Sequence, residues 1–204
     1  MPSALPTSRE NLLEWDDDLG YGKCTVPAIR YGAEYFDKYR RLDQTQMAEQ
    51  LTAARISMVR RHCDLPVIDI GVGGGLFVVR SGSGGYDVCP DAVAFLKSID
   101  RYSDPYDGAE AVTMWDSLEH IADPAALLAR VRQWLFVSMP IYRDREHCLA
   151  SKHFKPGEHI WYFTDAGFIR WASGLGFDLR ERNRIESSIG REDVVSYSFR
   201  RADG

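Results

Sequence analysis

Val67-Ile68-Asp69-Ile70-Gly71-Val72-Gly73-Gly74-Gly75 is a short apolar run that ends in a glycine-packed turn with a carboxylate at its mouth. An apolar run of this length, led in by Pro66, predicts a buried strand, and the glycines turn the chain into a helix opening near Leu76. Bare backbone lets a ligand approach more closely than any side chain allows. A second acid, Asp87, stands at the end of a second strand-like stretch, 86–88. A carboxylate offers two acceptor oxygens, enough to hold both hydroxyls of a ribose. The pair marks a nucleoside-type site at the carboxyl edge of a parallel sheet.

Outward from this core the strand–helix alternation continues. Pro90 opens a helix over 90–97, a third strand is predicted near 98–100, and 111–114 is a buried strand. Asp123-Pro124 supplies an N-cap and a first-turn proline for a helix over 125–134, and a fifth strand over 135–139 stops at Pro140. Residues 141–164 contain no predicted core element but are rich in histidine and aromatics; a loop this long usually has a job. A helix over 165–175 precedes strands over 177–185 and 194–200, separated by Ser187-Ser188-Ile189-Gly190, so the chain closes with a hairpin. The expected fold is α/β: a Rossmann-like open, mostly parallel seven-stranded sheet with a C-terminal antiparallel hairpin and helices on both faces.

Upstream, residues 1–20 are polar and proline-bearing and read as a loose lead-in, whereas 31–62 is helical, with Tyr31, Tyr35 and Tyr39 on one side and Phe36 at its margin. The predicted division is an N-terminal lead-in and helical cap over 1–62 and a binding core over 63–204. That length suits one domain with a cap. With 25 basic and 30 acidic residues the net charge is −5, which argues against sequence-indifferent attraction to polyphosphate. No apolar run approaches the roughly 18 residues that span a bilayer. The N-terminus lacks the basic head and apolar stretch of a secretory signal. Cys24, Cys63, Cys89 and Cys148 are scattered and form no C-x-x-C pair, the pattern of free thiols. A cytoplasmic location is expected.

Three ligands use such a glycine turn. A phosphate-cradling loop needs Gly-Lys-Ser/Thr after its glycines, where Leu76-Phe77 stand. A dinucleotide fingerprint starting at Gly71 needs Gly or Ala at position 76, and the chain is short for two nucleotide-binding halves plus a catalytic domain. S-adenosylmethionine, which carries no phosphate, remains.

The stretch from Asp69 to Gly75 resembles the D/E-x-G-x-G-x-G motif of class I S-adenosylmethionine-dependent methyltransferases. Gly85-Tyr86-Asp87-Val88-Cys89-Pro90 is similar to the family's second-strand segment. Trp115-Asp116-Ser117-Leu118-Glu119-His120-Ile121-Ala122-Asp123-Pro124 resembles the "L-E-H-x-x-D-P" segment of its small-molecule and ubiquinone-type members. Trp161-Tyr162-Phe163-Thr164 with Gly174-Leu175-Gly176-Phe177 resembles a late "F-T…G-F" segment. One departure is the missing "K-P-G-G" turn before the fifth strand, where Gln133-Trp134 run straight on. The resemblance implies that Asp69, Gly71, Gly73 and Gly75 face the methionine half of the cofactor and that Asp87 accepts from the ribose. It places Asp116, Ser117 and Leu118 beside the sulfonium. Val88 is expected against the adenine.

The loop after the fifth strand carries His147, Cys148, His153, Glu158, His159 and Trp161, and Pro156-Gly157 makes a turn that would aim Glu158 and His159 at the pocket. Histidine suits proton transfer at neutral pH, so the catalytic candidates are His159, Glu158 and His153. His147, Cys148, His153 and His159 match no trusted metal-ligand spacing, so no metal is assigned. Glu119 and His120 serve equally well as structural ties. Arg180, Arg182, Arg184, Arg200 and Arg201, balanced by Glu181, Glu186, Glu192 and Asp193, read as a solvated strand face.

The expected activity is methyl transfer to an O, N or C atom of a small-molecule acceptor. A nucleic-acid base or nucleoside is the alternative acceptor, disfavoured by the net charge and by the lack of an N-P-P-Y-type motif. A non-catalytic S-adenosylmethionine-binding protein of the same fold is the alternative from another class.

Overall fold

The computed structural model describes residues 9–27 and 33–202; the predicted position of Tyr31 lies outside them. The chain begins with a hairpin, β1 (Leu13–Asp16) and β2 (Tyr21–Cys24), then two helices, α1 (Ala33–Leu42) and α2 (Gln46–Arg60). The α/β core follows as β3 (Val67–Ile70), α3 (Leu76–Ser81), β4 (Gly84–Tyr86), α4 (Pro90–Ser98), β5 (Ala109–Trp115), α5 (Pro124–Leu128) and β6 (Val131–Tyr142). The remainder is α6 (Arg145–Ala150), β7 (Trp161–Thr164), α7 (Asp165–Gly174), β8 (Phe177–Asn183), α8 (Ile185–Ser188) and β9 (Val194–Arg201).

Strands β4, β3, β5 and β6 pair in parallel in that order, and β9 and β8 extend the sheet antiparallel from β6. The parallel α/β sheet with its terminal antiparallel pair is thus as predicted. Side chains alternate across β5: Ala111 and Trp115 pack with Val59 of α2 and Phe77 of α3, while Val112 and Met114 pack with Leu127 of α5 and Phe168 of α7. A strand clothed on both faces must be apolar at nearly every position, which is why 109–115 is legible as a buried strand. All four cysteines are buried free thiols, as expected.

Among the described residues the sheet has nine strands rather than seven. The lead-in is not loose: β1 and β2 form a hairpin whose second strand pairs antiparallel with β7. Its polar, alternating residues hide a strand because only one face meets the core, through Leu13 and Cys24. Pro140 does not stop the fifth strand. Proline is tolerated there because the Pro140–Val194 pair is flanked by the Ile141 N–H donating to Asp193 O, so this position owes β9 no donor, and β5 has already ended opposite Ser138. Beyond it, Ile141 and Tyr142 pair with β7.

Three local predictions are also corrected. The helix predicted over 125–134 ends at Leu128, and β6 starts at Val131. The strand predicted near 98–100 is the end of α4 and a turn with Asp100 at φ 55°, leaving only an isolated bridge between Gly85 and Tyr102. The turn between the last strands contains α8, and its Glu186 is buried rather than solvated.

The hairpin tip docks on the start of α7, where Thr164 N and Oγ1 both donate to Gly20 O (2.8 and 3.0 Å) and Arg170 donates to Leu19 O. A Cβ at Gly167 would overlap the Gly20 carbonyl and sit 2.9 Å from Leu19 O. Gly167→Ala is therefore expected to lower the unfolding free energy by about 1–3 kcal/mol, through overpacking against backbone that cannot yield. Urea denaturation checks this, and an unchanged midpoint would show that the hairpin is not seated on α7.

Candidate functional site

The carboxyl edge of β3 and β5 is where the chain departs from regular structure. Gly71 leaves β3 at φ +77°, and a Cβ there would meet the Ser117 side chain at 2.6 Å. Ser117 packs into that space and donates its hydroxyl to Ile70 O (2.6 Å). Gly75, at φ +92°, opens α3, and a Cβ would run into Phe95. Both positions therefore demand glycine for conformation and for space. The joint between α1 and α2 closes over this turn: Thr45 caps α2, and Asp43 accepts the Leu76 N–H (3.1 Å).

Asp87 lies beside the turn, accepting N–H bonds from Val72 (3.0 Å) and Cys89 (2.8 Å). Burial raises its pKa, opposed by these N–H groups. Each oxygen retains a further acceptor position. Asp69 is buried and accepts the Thr113 hydroxyl (2.7 Å). Burial raises its pKa to about 7 against the opposing effects of Thr113 and Arg55.

Two cavities meet here. One of 240 Å³ is bordered by Ile70, Tyr86, Asp87, Val88, Ser117 and Ile121; one of 340 Å³ is bordered by Tyr39, Asp69, Gly73, Glu119, His159 and Arg191, among others. Tyr35, Gly71, Asp116 and His120 belong to both. Their combined size suits a ligand with an apolar end and a charged end. The glycine cradle and the acid at the apolar end fit an adenosyl amino acid. Of the predicted cofactor contacts, Asp69, Gly71, Gly73, Asp87, Val88, Asp116 and Ser117 border this space. Gly75 lies behind it against Phe95, and the Leu118 side chain is fully buried in the core. Tyr35 and Tyr39 of α1 border the cavity, whereas Phe36 packs on Phe95.

Asp116, at φ 55°, does more than end the strand. Arg191 grips both of its oxygens, and Arg55 reaches it at 3.3 Å. Arg55 also binds Glu186 through two bonds of 2.8 Å and lies 5.2 Å over the Trp115 ring. Burial alone would raise the Asp116 pKa, but the Arg191 and Arg55 guanidiniums hold it below the carboxylate range. Sequence reading missed Arg55, Arg191 and the burial of Glu186. A signal existed for Arg55, which shares the stripe of Leu51, Thr52, Met58 and Val59, the buried residues of α2.

The loop after β6 supplies the far wall. The Lys155–His159 turn, with Gly157 at φ 83°, brings His159 inside, 5% exposed, and leaves Glu158 paired with Lys155 (3.4 Å). His153 borders the cavity while its Nε2 donates to Glu192 O (3.1 Å). Burial, then His120 and Lys155, push the His159 pKa down to about 3, so its imidazole is neutral near pH 7. Burial likewise lowers His120 and raises Glu119 well above the carboxylate range. Cys148 is sequestered in a separate cluster with Tyr142 and Phe154.

Glu186 is wholly buried against two guanidiniums, so Glu186→Ala leaves them sharing one carboxylate. Loss of about 3–5 kcal/mol is expected, the cost of breaking a buried pair from one side. Equilibrium unfolding measures it, and a loss below about 1 kcal/mol would refute a closed ionic cluster.

Residues 30–182 match the model of a family described as a methyltransferase domain. No curated protein sequence matches the chain. Among solved structures, magnesium protoporphyrin IX methyltransferase from Synechocystis with bound SAH is similar at 14% identity and TM-score 0.58, covering 83% of this chain and 95% of that one. The 1,6-didemethyltoxoflavin-N1-methyltransferase of Burkholderia thailandensis, with its substrate and S-adenosylhomocysteine bound, is similar at 12% identity and TM-score 0.53, covering 94% and 99%. The glycopeptide N-methyltransferase MtfA, complexed with S-adenosylmethionine, is similar at 15% identity and TM-score 0.53, covering 75% and 87%. At these identities the likeness is one of fold. The family match spans well over half of the 204 residues, and the chain belongs to the class I S-adenosylmethionine-dependent methyltransferases.

Proposed function

We propose that this protein transfers the methyl group of S-adenosylmethionine to a small-molecule acceptor held in the 340 Å³ cavity. The observation that carries the reading is the continuity of the two cavities through Tyr35, Gly71, Asp116 and His120. In this reading Asp87 takes the ribose diol, Val88 flanks the adenine, and Asp69 with the Gly71 and Gly73 backbone faces the amino-acid end. When bound, the cofactor supplies a sulfonium methyl, already a good electrophile. The chain's share is to orient the acceptor in line and to exclude water. His159, Glu158 and His153 border the acceptor side; His159, neutral at working pH, offers a lone pair and no charge. The three structures above are described as acting on a metalloporphyrin, a toxoflavin precursor and a glycopeptide, which supports a small-molecule acceptor without choosing one. No described helix is long and apolar enough to cross a membrane.

Calorimetric titration tests the cofactor half. Asp87→Asn is expected to weaken S-adenosylhomocysteine binding at least tenfold with the fold retained by circular dichroism; unchanged affinity removes Asp87 from the site. Labelled methyl transfer into a metabolite extract tests the acceptor half. Label in nucleic acid, or gel shifts that weaken with salt, would favour the polymeric acceptor. Label that stays on the cofactor would favour the non-catalytic reading.

A pH dependence follows from Asp69, whose folded pKa is raised to about 7. A ligand ammonium binds the ionised carboxylate, so affinity should fall roughly tenfold from about pH 8 to about pH 6, as the acid takes up a proton. In the cofactor-free protein the sign is opposite. A carboxyl with a raised folded pKa stabilises fully below its ordinary value, and that contribution is lost as pH rises through about 7. Asp69→Asn should flatten both profiles; a binding slope that survives the substitution would separate Asp69 from the ligand's amine.

A further inference from the structure

Glu119 is the one buried acid among the described residues that no hydrogen bond explains. It is 2% exposed, and neither carboxylate oxygen finds a hydrogen-bond partner in another residue; the one backbone group that bears on it is its own N–H. Leaving such a group unsatisfied costs about 1–3 kcal/mol, more if it is charged. Beside it stand His120 and His159, their rings 4.7 Å apart and nearly perpendicular. One donor atom from each of the three residues falls within 4.8 Å of the others, the only such trio of acids, thiols or imidazoles among the described residues.

The tautomer of His120 is set by its neighbour. Its Nδ1 lies 2.8 Å from the Glu158 carbonyl, which can only accept, so Nδ1 carries the proton and the lone pair is on Nε2. A backbone carbonyl on one ring nitrogen is the usual support for a histidine that ligates through the other. The two segments that carry the trio are also fastened together. Ile160 N donates to Glu119 O (2.8 Å) and Trp161 Nε1 to Ile121 O (2.9 Å), on either side of the His120–Glu158 bond. The surrounding charges are already matched: Arg55 and Arg191 by Asp116 and Glu186, Lys155 by Glu158. A cation entering here meets no uncompensated positive charge in this set.

We propose that Glu119, His120 and His159 bind one divalent first-row cation of the zinc or cobalt type in the wall of the acceptor cavity. One carboxylate oxygen and two imidazole nitrogens suit a borderline ion rather than magnesium or calcium, which prefer oxygen shells. Bonds of about 2.0–2.2 Å place tetrahedral donors roughly 3.4 Å apart, so closure needs side-chain movement of about an ångström. Three protein ligands leave a position open, and all three residues border the 340 Å³ cavity. On the methyltransferase reading, from which this role alone derives, that position takes an oxygen of the acceptor and fixes its approach to the methyl.

The test uses the full-length, tag-free protein stripped with a chelator and titrated with cobalt(II). Visible absorption, calorimetry and a parallel S-adenosylhomocysteine titration are recorded. One equivalent of cobalt with the d–d bands of a four- or five-coordinate ion is expected. Glu119→Gln and His159→Gln should each weaken cobalt binding at least 100-fold while leaving the cofactor affinity within about threefold. His62→Gln, whose ring pairs with Glu181 on another face, should bind cobalt normally. Protein that binds S-adenosylhomocysteine but no cobalt at millimolar concentration overturns the proposal, as do the two variants if they keep wild-type cobalt affinity. Cobalt binding without cofactor binding sustains the metal site and counts against the methyltransferase reading instead.

Discussion

Two guanidiniums and two carboxylates locked together at the carboxyl edge of the sheet hold this site in shape. Arg55 comes from α2, Asp116 from the end of β5, and Glu186 and Arg191 from α8 and the turn that follows it. The cluster joins the helical cap, the central strand and the C-terminal hairpin at one point. Taking four charges out of water is costly, and their mutual attraction offsets that cost only while all four are present in good geometry. The cluster therefore acts as an all-or-none clasp. With it closed, Asp116 is spent on arginines, and Arg191 is fixed in the wall of the larger cavity. Arg55 and Arg191 therefore border that cavity as members of a net-neutral set of charges rather than as free cations.

A second constraint lies beside the clasp. The turn at 118–120 and the loop leading into β7 are laced by backbone and side-chain bonds, so the residues that project from them occupy set positions. Loops positioned by a rigid scaffold are where chemistry usually resides. Here the scaffold includes the N-terminal hairpin, since β7 is sandwiched between β6 and β2. A segment remote in sequence thus steadies the acceptor wall.

The first half of the site was legible because it is local. Asp69, the glycine turn and Asp87 sit within one β–α–β unit, where the geometry of each residue follows from its immediate neighbours; Gly71 at φ +77° shows the conformation its sequence demanded. Strands clothed on both faces, such as β5, announce themselves by unbroken apolarity. The failures share a cause. Pro140 looks like a strand stop until the pairing of β6 shows that no donor is required there. The β1–β2 hairpin is polar enough to pass for a tail because it covers only one side of the core. Position 125–134 has helix formers throughout, yet strand pairing from Val131 overrides local propensity.

The chain's sequence by itself determined the class of fold, the cofactor and the family, since these rest on short contiguous motifs whose backbone requirements are intrinsic. Only the tertiary structure decided which charged residues are buried together and which histidines face one another. Arg55, Asp116, Glu186 and Arg191 span residues 55–191, and Glu119 and His159 are forty positions apart. Charge pairing and ligand convergence depend on distance in space, and no periodicity along the chain encodes it.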